Sequence, residues 1–205
     1  ASVTITEPIA LTASATVDDN VSCNAGNDGT ATASGTGGTP PYTYLWDDTD
    51  AQTTATAVGL AAGTYTVTIT DDNGCTDTAS VTITEPIALT ASATVDNNVS
   101  CNGGGNGNIT IDLNGGTSPF EYVINGTTYS NFPDPTLAIS GLQAGTYPIN
   151  VTDANGCTAT TSVTITEPVT LTASATVDAN VNCNGGENGT ATASGTGGTP
   201  PYTYL

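Results

Sequence analysis

Apolar and polar residues alternate along most of this chain, with the two-residue period of β-strands that are buried on one face. Residues 9–17 and 87–95 show the pattern at equivalent points. A later stretch places Tyr42, Tyr44 and Trp46 on one face of a further strand. The pattern therefore predicts an all-β protein.

The clearest predicted hairpin joins residues 65–69 to residues 81–83. Between them lies Asp71-Asp72-Asn73-Gly74, and an Asn-Gly pair between two alternating runs is a strong short-range hairpin signal. About seven short strands in roughly 80 residues, joined by short turns, predict a two-sheet β-sandwich.

Three aromatic residues favour an immunoglobulin-like Greek-key topology for this sandwich. The pattern Leu-x-x-Gly-x-Tyr ends at Tyr65 and recurs ending at Tyr147. It is similar to the tyrosine corner, in which a tyrosine hydroxyl bonds back to nearby backbone. Trp46 occupies the position expected of a core tryptophan.

Sequence landmarks recur at spacings of 78 and 82 residues. Glu7, Glu85 and Glu167 lie in three identical copies of Val-Thr-Ile-Thr-Glu-Pro, and residues 29–45 are identical to residues 189–205. Such periodicity is typical of tandem repeats of one small module.

The spacing divides the chain into four parts. We expect residues 1–8 to be the last strand of a preceding repeat, and residues 9–86, 87–168 and 169–205 to be two whole repeats and an incomplete third. Pro86 and Pro168 lie in very short linkers, where proline fixes φ. We therefore expect an elongated rod cut from a longer array.

The charge of the chain is unusually one-sided. It contains 19 acidic residues and no lysine, arginine or histidine. Such a surface repels nucleic acid and anionic lipid headgroups, and no apolar run is long enough to insert into a membrane. Without histidine or lysine the usual general bases are missing, so we expect no enzymatic activity, no catalytic residues and no cofactor.

Five cysteines recur in step with the repeats. We predict one disulfide within each repeat, Cys23–Cys75 and Cys101–Cys157, with Cys183 paired to a residue beyond Leu205. Each closes a loop of about 50 residues and contributes roughly 4 kcal/mol on the chain-entropy model. Metal binding by these thiolates is the alternative, although the sequence has no Cys-x-x-Cys spacing. Disulfides indicate an oxidising, extracellular location.

Clusters of Asp and Asn recur before each cysteine and are candidate Ca²⁺ ligands. The candidate carboxylates are those of Asp18, Asp71, Asp72, Asp96 and Asp153. Oxygen-rich clusters of this kind can bind Ca²⁺. The alternative is that Asp, Asn and Gly are present because tight turns require them.

Three segments together resemble the SprB repeat of very large cell-surface proteins of Bacteroidetes, some of them gliding-motility adhesins. They are VSCNAGNDGTATASGTGGTPPYTYLW (21–46), LAAGTYTVTITDDNGC (60–75) and VTITEP (81–86). The resemblance implies export by the type IX secretion system and display at the cell surface as long filaments. The second repeat departs from it at Ile124, in place of Trp46, and at residues 129–135. Asp77-Thr78-Ala79 looks like a Bacteroidetes O-glycosylation motif, with Thr78 as the acceptor.

These observations favour a non-enzymatic stalk or filament segment of a surface adhesin. Its expected partners are neighbouring repeats, with polysaccharide or the substratum contacted by the whole adhesin. One alternative is a repeat that itself binds carbohydrate or Ca²⁺. Another is self-assembly of many chains into an extracellular fibre through exposed Thr/Ala strands of low charge.

Overall fold

The computed structural model describes residues 2–205, and every regular element among them is a β-strand. In chain order the strands are β1 Thr12–Asp19, β2 Gly29–Thr36, β3 Thr43–Trp46, β4 Thr56–Leu60, β5 Gly63–Thr70, β6 Thr76–Ile83, β7 Thr90–Asn97, β8 Gly107–Asn114, β9 Phe120–Ile124, β10 Thr127–Phe132, β11 Thr136–Leu142, β12 Gly145–Thr152, β13 Thr158–Ile165, β14 Thr172–Ala179 and β15 Thr190–Thr196. Residues 2–205 contain no helix that is long and apolar enough to cross a membrane.

The chain forms two compact units. The first contains the chain up to Thr90, together with Asn114–Thr117 and Thr152–Thr158. The second contains Ala91–Leu113, Ser118–Val151 and Ala159–Leu205. The first unit therefore includes all of the first repeat and three short segments of the second, residues 87–90, 114–117 and 152–158.

The first unit is a sandwich of two antiparallel three-stranded sheets. One sheet has the order β1-β2-β4 and the other the order β3-β5-β6. The chain changes sheet after β2, after β3 and after β4, which is the crossing pattern of a Greek key. The predicted immunoglobulin-like sandwich is confirmed, with six strands in this repeat rather than seven.

Inward-facing residues of both sheets form the core of the first unit. Trp46 is 1% exposed, and its indole N–H donates to the carbonyl of Thr54 at 3.1 Å. Val67 and Ile69 of β5 are fully buried beside it, and the alternate residues of that strand carry threonine. In β5 the apolar residues of the alternating pattern are therefore the buried ones.

The tyrosine-corner bond is present in both whole repeats. The Tyr65 hydroxyl donates to the carbonyl of Ala61 at 3.1 Å, and the Tyr147 hydroxyl donates to that of Gln143 at 3.0 Å. Each bond pins the turn that enters the strand carrying the tyrosine.

The second unit contains most of the second repeat, whose seven strands are β7–β13. Its sheets have the orders β11-β8-β7 and β10-β9-β12-β13. Strand β10 is the additional one, and it lies where the second repeat is four residues longer than the first. Ile124 takes the place of Trp46 and is 3% exposed, while Tyr122 and Phe132 pack edge to face.

The incomplete third repeat forms only a two-stranded sheet, β14-β15. Residues 2–8, expected to be a strand, are not in one.

Candidate functional site

The cysteine turn of the first repeat, residues 71–75, is organised around one buried carboxylate. Asp71 is 5% exposed; its Oδ1 accepts the backbone N–H groups of Asn73 at 3.0 Å and Cys75 at 2.8 Å. Its Oδ2 accepts the N–H of Thr39 at 2.9 Å. The hydrogen bond from Thr39, followed by those from Cys75 and Asn73, holds the pKa of Asp71 below its usual value despite burial.

The second repeat builds the same turn at residues 153–157, which belong to the first unit. Asp153 Oδ1 accepts the N–H groups of Asn155 at 2.9 Å and Cys157 at 2.8 Å, and Oδ2 accepts that of Thr117 at 2.8 Å. Both turns therefore hold their cysteine in the same way.

These contacts bear on the candidate Ca²⁺ ligands. Both carboxylate oxygens of Asp71 and of Asp153 accept backbone N–H groups, while Asp18 and Asp96 each accept a threonine hydroxyl, at 2.6 and 2.8 Å. Asp72 is exposed. Across residues 2–205 no three His, Cys, Asp or Glu side chains are grouped as a metal site requires. Asp71 and Asp153 therefore serve their turns, in line with the alternative interpretation, whereas Asp18 and Asp96 lie in strands β1 and β7 and bond across the sheet.

The cysteine loop of the first repeat, residues 20–28, is held by the end of the same repeat. Asn24 Nδ2 donates to the carbonyl of Pro86 at 3.1 Å, and the N–H of Ala25 donates to Glu85 Oε2 at 2.5 Å. Glu85 and Pro86 thus position the loop that carries Cys23. This gives a structural reason for the recurrence of the Thr-Glu-Pro segment.

The equivalent loop of the second repeat, residues 98–106, is held in the same way within the second unit. Asn102 Nδ2 donates to the carbonyl of Pro168 at 3.2 Å and to Glu167 Oε1 at 3.0 Å. The N–H of Gly103 donates to Glu167 Oε2 at 2.7 Å. Cys101 lies in this loop, is exposed, and has no disulfide partner within residues 2–205.

A disulfide in the first unit joins Cys23 of the first repeat to Cys157 of the second. Their Cα atoms are 5.5 Å apart, and the two residues are separated by 134 positions in sequence. Both predicted pairings, Cys23–Cys75 and Cys101–Cys157, are therefore wrong. Among residues 2–205, Cys75, Cys101 and Cys183 are unbonded and exposed.

Strand length explains the error. Cys75 immediately precedes the eight-residue strand β6, whereas the Cys23 loop is bonded to Glu85 and Pro86, just beyond its far end. Eight extended residues span about 26 Å. A disulfide requires Cα atoms within about 7 Å, so Cys23 and Cys75 cannot meet in a folded repeat. In the second repeat, β13 similarly lies between Cys157 and Glu167.

The disulfide is accompanied by a polar contact between the same two segments. Asn155 Nδ2 donates to the carbonyl of Ser22 at 3.3 Å and to Thr117 Oγ1 at 3.2 Å. The surrounding groove is lined by Cys23, Asn24, Ala88, Leu89, Gly156, Cys157 and Thr158. This arrangement supplies a covalent link between successive repeats.

The SprB repeat family matches three stretches of the chain, residues 15–51, 93–128 and 175–205, which together make up just over half of it. The chain belongs to the SprB repeat family. The three matches begin 78 and 82 residues apart, the spacing of the sequence landmarks. No curated protein matches this SprB repeat chain.

Solved structures similar to the SprB repeats are tandem arrays of sandwich domains. One is a tetra-tandem repeat from the extending region of a large adhesion protein, at 16% identity, 92% coverage of this chain and 62% of that one, and a TM-score of 0.32. Others are the Ig1–Ig3 ectodomain of mouse nectin-like molecule 4 (12% identity, coverage 78% and 65%, TM-score 0.34) and the fibronectin(III)-like modules of Clostridium thermocellum CbhA (17%, 75% and 94%, 0.30). The chain covers less than two thirds of the length of the adhesion-protein repeat structure and of the nectin-like ectodomain.

Proposed function

We propose that this chain is a non-enzymatic stalk segment of a large secreted bacterial surface adhesin. Membership of the SprB repeat family supports a structural role in an adhesin. The observation that carries the proposal is the Cys23–Cys157 bond, because it fastens one repeat to the next. A stalk that holds a distal binding region away from the cell must resist extension.

The disulfide gives the stalk a covalent route for tension. Force applied to the two ends of the chain enters the bond at Cys23 and leaves it at Cys157. The polypeptide between these residues bears no force and does not extend while the bond is intact. Unfolding of the first repeat then lengthens the stalk very little.

The rest of the proposal follows the family resemblance and the chemistry of the chain. A disulfide of this kind persists in an oxidising compartment, which supports an extracellular, cell-surface location. Type IX secretion, a role in gliding motility or surface attachment, and contact of the whole adhesin with polysaccharide or the substratum are parts of the same proposal. The buried carboxylates of Asp71 and Asp153 serve turns rather than catalysis in this account.

Single-molecule stretching of the 205-residue chain tests the mechanical role. Under oxidising conditions residues 24–156 do not contribute to the measured contour length. Reduction of the disulfide adds about 450 Å of contour length after unfolding. The Cys157→Ser variant extends fully without reductant and is the matched control. Full extension of the oxidised wild-type chain contradicts the stalk mechanism. Specific binding to one class of glycan on a glycan array would instead make carbohydrate recognition the function.

A further inference from the structure

The first unit contains a second groove built like the one at the disulfide. It is lined by Glu7, Pro8, Ile9, Ala10, Leu11, Gly38, Asp71, Cys75 and Thr76. Its Ala10-Leu11 and Cys75-Thr76 pairs correspond, residue for residue, to Ala88-Leu89 and Cys157-Thr158 of the first groove. The two grooves differ in their lining, because Cys23 and Asn24 line the first and no residue of a cysteine loop within residues 2–205 lines the second.

The turn at the second groove has the donor needed to receive a loop. Asn155 uses one amide N–H for Thr117 Oγ1 and the other for the carbonyl of Ser22. Asn73 Nδ2 donates to Thr39 Oγ1 at 2.8 Å, and among residues 2–205 this side-chain amide makes no second hydrogen bond. A side-chain amide carries two N–H donors, so one remains for an incoming carbonyl.

The second unit carries a loop with the same internal structure as the loop that fills the first groove. The N–H of Ser22 donates to Asp28 Oδ1 at 3.0 Å, and that of Ser100 donates to Asn106 Oδ1 at 3.0 Å. Cys101 follows Ser100 as Cys23 follows Ser22. The loop is therefore held in position while its thiol is still unbonded.

We infer that the second groove, which contains Cys75, receives the cysteine loop of another SprB repeat in a longer chain. The loop that carries Cys101 then enters the equivalent groove of the repeat that follows. Each repeat is then fastened to the next by a disulfide equivalent to Cys23–Cys157. Bond formation converts two thiols into one disulfide, and two protons and two electrons pass to an oxidant, either dioxygen or a disulfide exchange partner. The equivalent disulfides are expected from the geometry of the Cys23–Cys157 junction and do not depend on the stalk function.

The repeat lengths are consistent with this register. Because residues 29–45 and 189–205 are identical, joining Leu205 to Trp46 of a second copy continues the array without altering a repeat. In that extended chain the appended copy of Cys75 follows Cys101 by 134 residues, the separation of Cys23 from Cys157. Successive disulfide-closed segments overlap, so every part of a long array is spanned by a cross-link.

Disulfide mapping of residues 1–205 followed by residues 46–168 tests the inference. The substitutions are Cys75→Ser in the first copy and Cys101→Ser in the appended copy. They leave Cys101 of the first copy and Cys75 of the appended copy as the two cysteines of the new junction. Cleavage before aspartate separates the relevant peptides, with Cys101 in residues 96–111 and Cys75 in residues 72–76. Gel filtration without reductant isolates the monomer before cleavage.

The inference predicts that peptides 96–111 and 72–76 are linked in the monomer, alongside the Cys23–Cys157 bond, which reports correct folding of the array. Alkylation of Cys101 as a free thiol overturns it. So do a bond from Cys101 to Cys157, a link found only between two chains, or loss of both expected bonds. None of these results alters the stretching behaviour of the 205-residue chain unless Cys23–Cys157 is itself absent, which separates this test from that of the stalk.

Discussion

The Asp71 carboxylate accepts the backbone N–H of Cys75 at 2.8 Å, although Cys75 has no disulfide partner among the described residues. Asp153 and Cys157 show the same distance, although Cys157 is bonded. The turn conformation is thus the same with and without the disulfide. Hydrogen bonding within the turn holds the cysteine in place, and the covalent bond follows from that placement.

The lowered pKa of Asp71 makes the first unit sensitive to acid. A carboxyl whose folded pKa is depressed contributes stability above its unfolded pKa, near 3.9, and loses it as pH falls through the lower folded value. We expect Asp71→Asn to reduce stability at neutral pH and to weaken the decline below about pH 4. Urea unfolding followed by Trp46 fluorescence measures both effects.

Asp72→Asn is the matched control for Asp71→Asn, because Asp72 is the exposed neighbouring residue and its side chain makes none of the hydrogen bonds found among residues 2–205. Comparing variants also removes the general effect of acid on a chain with 19 acidic residues. Equal pH dependence in wild-type protein and Asp71→Asn would show that the carboxylate does not stabilise the turn.

Gly37 is required by a close backbone contact. Its φ is 72°, and an added Cβ would lie 2.1 Å from the carbonyl oxygen of Ala10. Gly74 also has a positive φ, of 80°, but an added Cβ would meet nothing within 4 Å. We expect Gly74→Ala to cost about 1 kcal/mol of unfolding free energy and Gly37→Ala at least roughly 2–3 kcal/mol. Equal losses would contradict the steric explanation.

Removing one hydroxyl tests the tyrosine corner. Tyr65→Phe deletes the bond to the Ala61 carbonyl and is expected to lower unfolding free energy by about 1 kcal/mol. Tyr44 also packs against the core, but its hydroxyl makes no hydrogen bond within residues 2–205. Tyr44→Phe is therefore the control and should be nearly neutral. The measurement is chemical denaturation of each variant, and a larger loss for Tyr44→Phe would contradict the assignment.

Calcium should leave the thermal stability of the chain unchanged. The carboxylates of Asp71 and Asp153 already accept backbone N–H groups at every oxygen. A ligand that binds the folded state raises the melting temperature by mass action. Differential scanning calorimetry with millimolar CaCl₂ and with a chelator provides the test, and a calcium-dependent rise would return these residues to consideration as ligands.

Local sequence patterns predicted much of this fold, because they depend on neighbouring residues. Alternation identified the buried faces of β5 and β6, and the Asn73-Gly74 pair identified the turn between them. Strand β10 was not predicted, because TTYSNF lacks a clear apolar alternation and is ordered by pairing with β9.

The disulfide pairing could not be obtained from local patterns. Each whole repeat has one cysteine in its loop and one in its turn, and that arrangement fits bonds within a repeat as well as bonds between repeats. The signal that separates the two is the eight-residue alternation after Cys75, which carries the chain about 26 Å away before Glu85 and Pro86 reach the Cys23 loop. A strand of that length places the two cysteines at opposite ends of the repeat.

The disulfide map of the unreduced 205-residue chain tests the covalent junction most directly. Trypsin has no site in a chain without lysine or arginine, but cleavage before aspartate places all five cysteines in different peptides. We predict that residues 19–27 are linked to residues 153–177, with Cys75 and Cys101 free in the monomer. Linkage of residues 19–27 to residues 72–76 would contradict it.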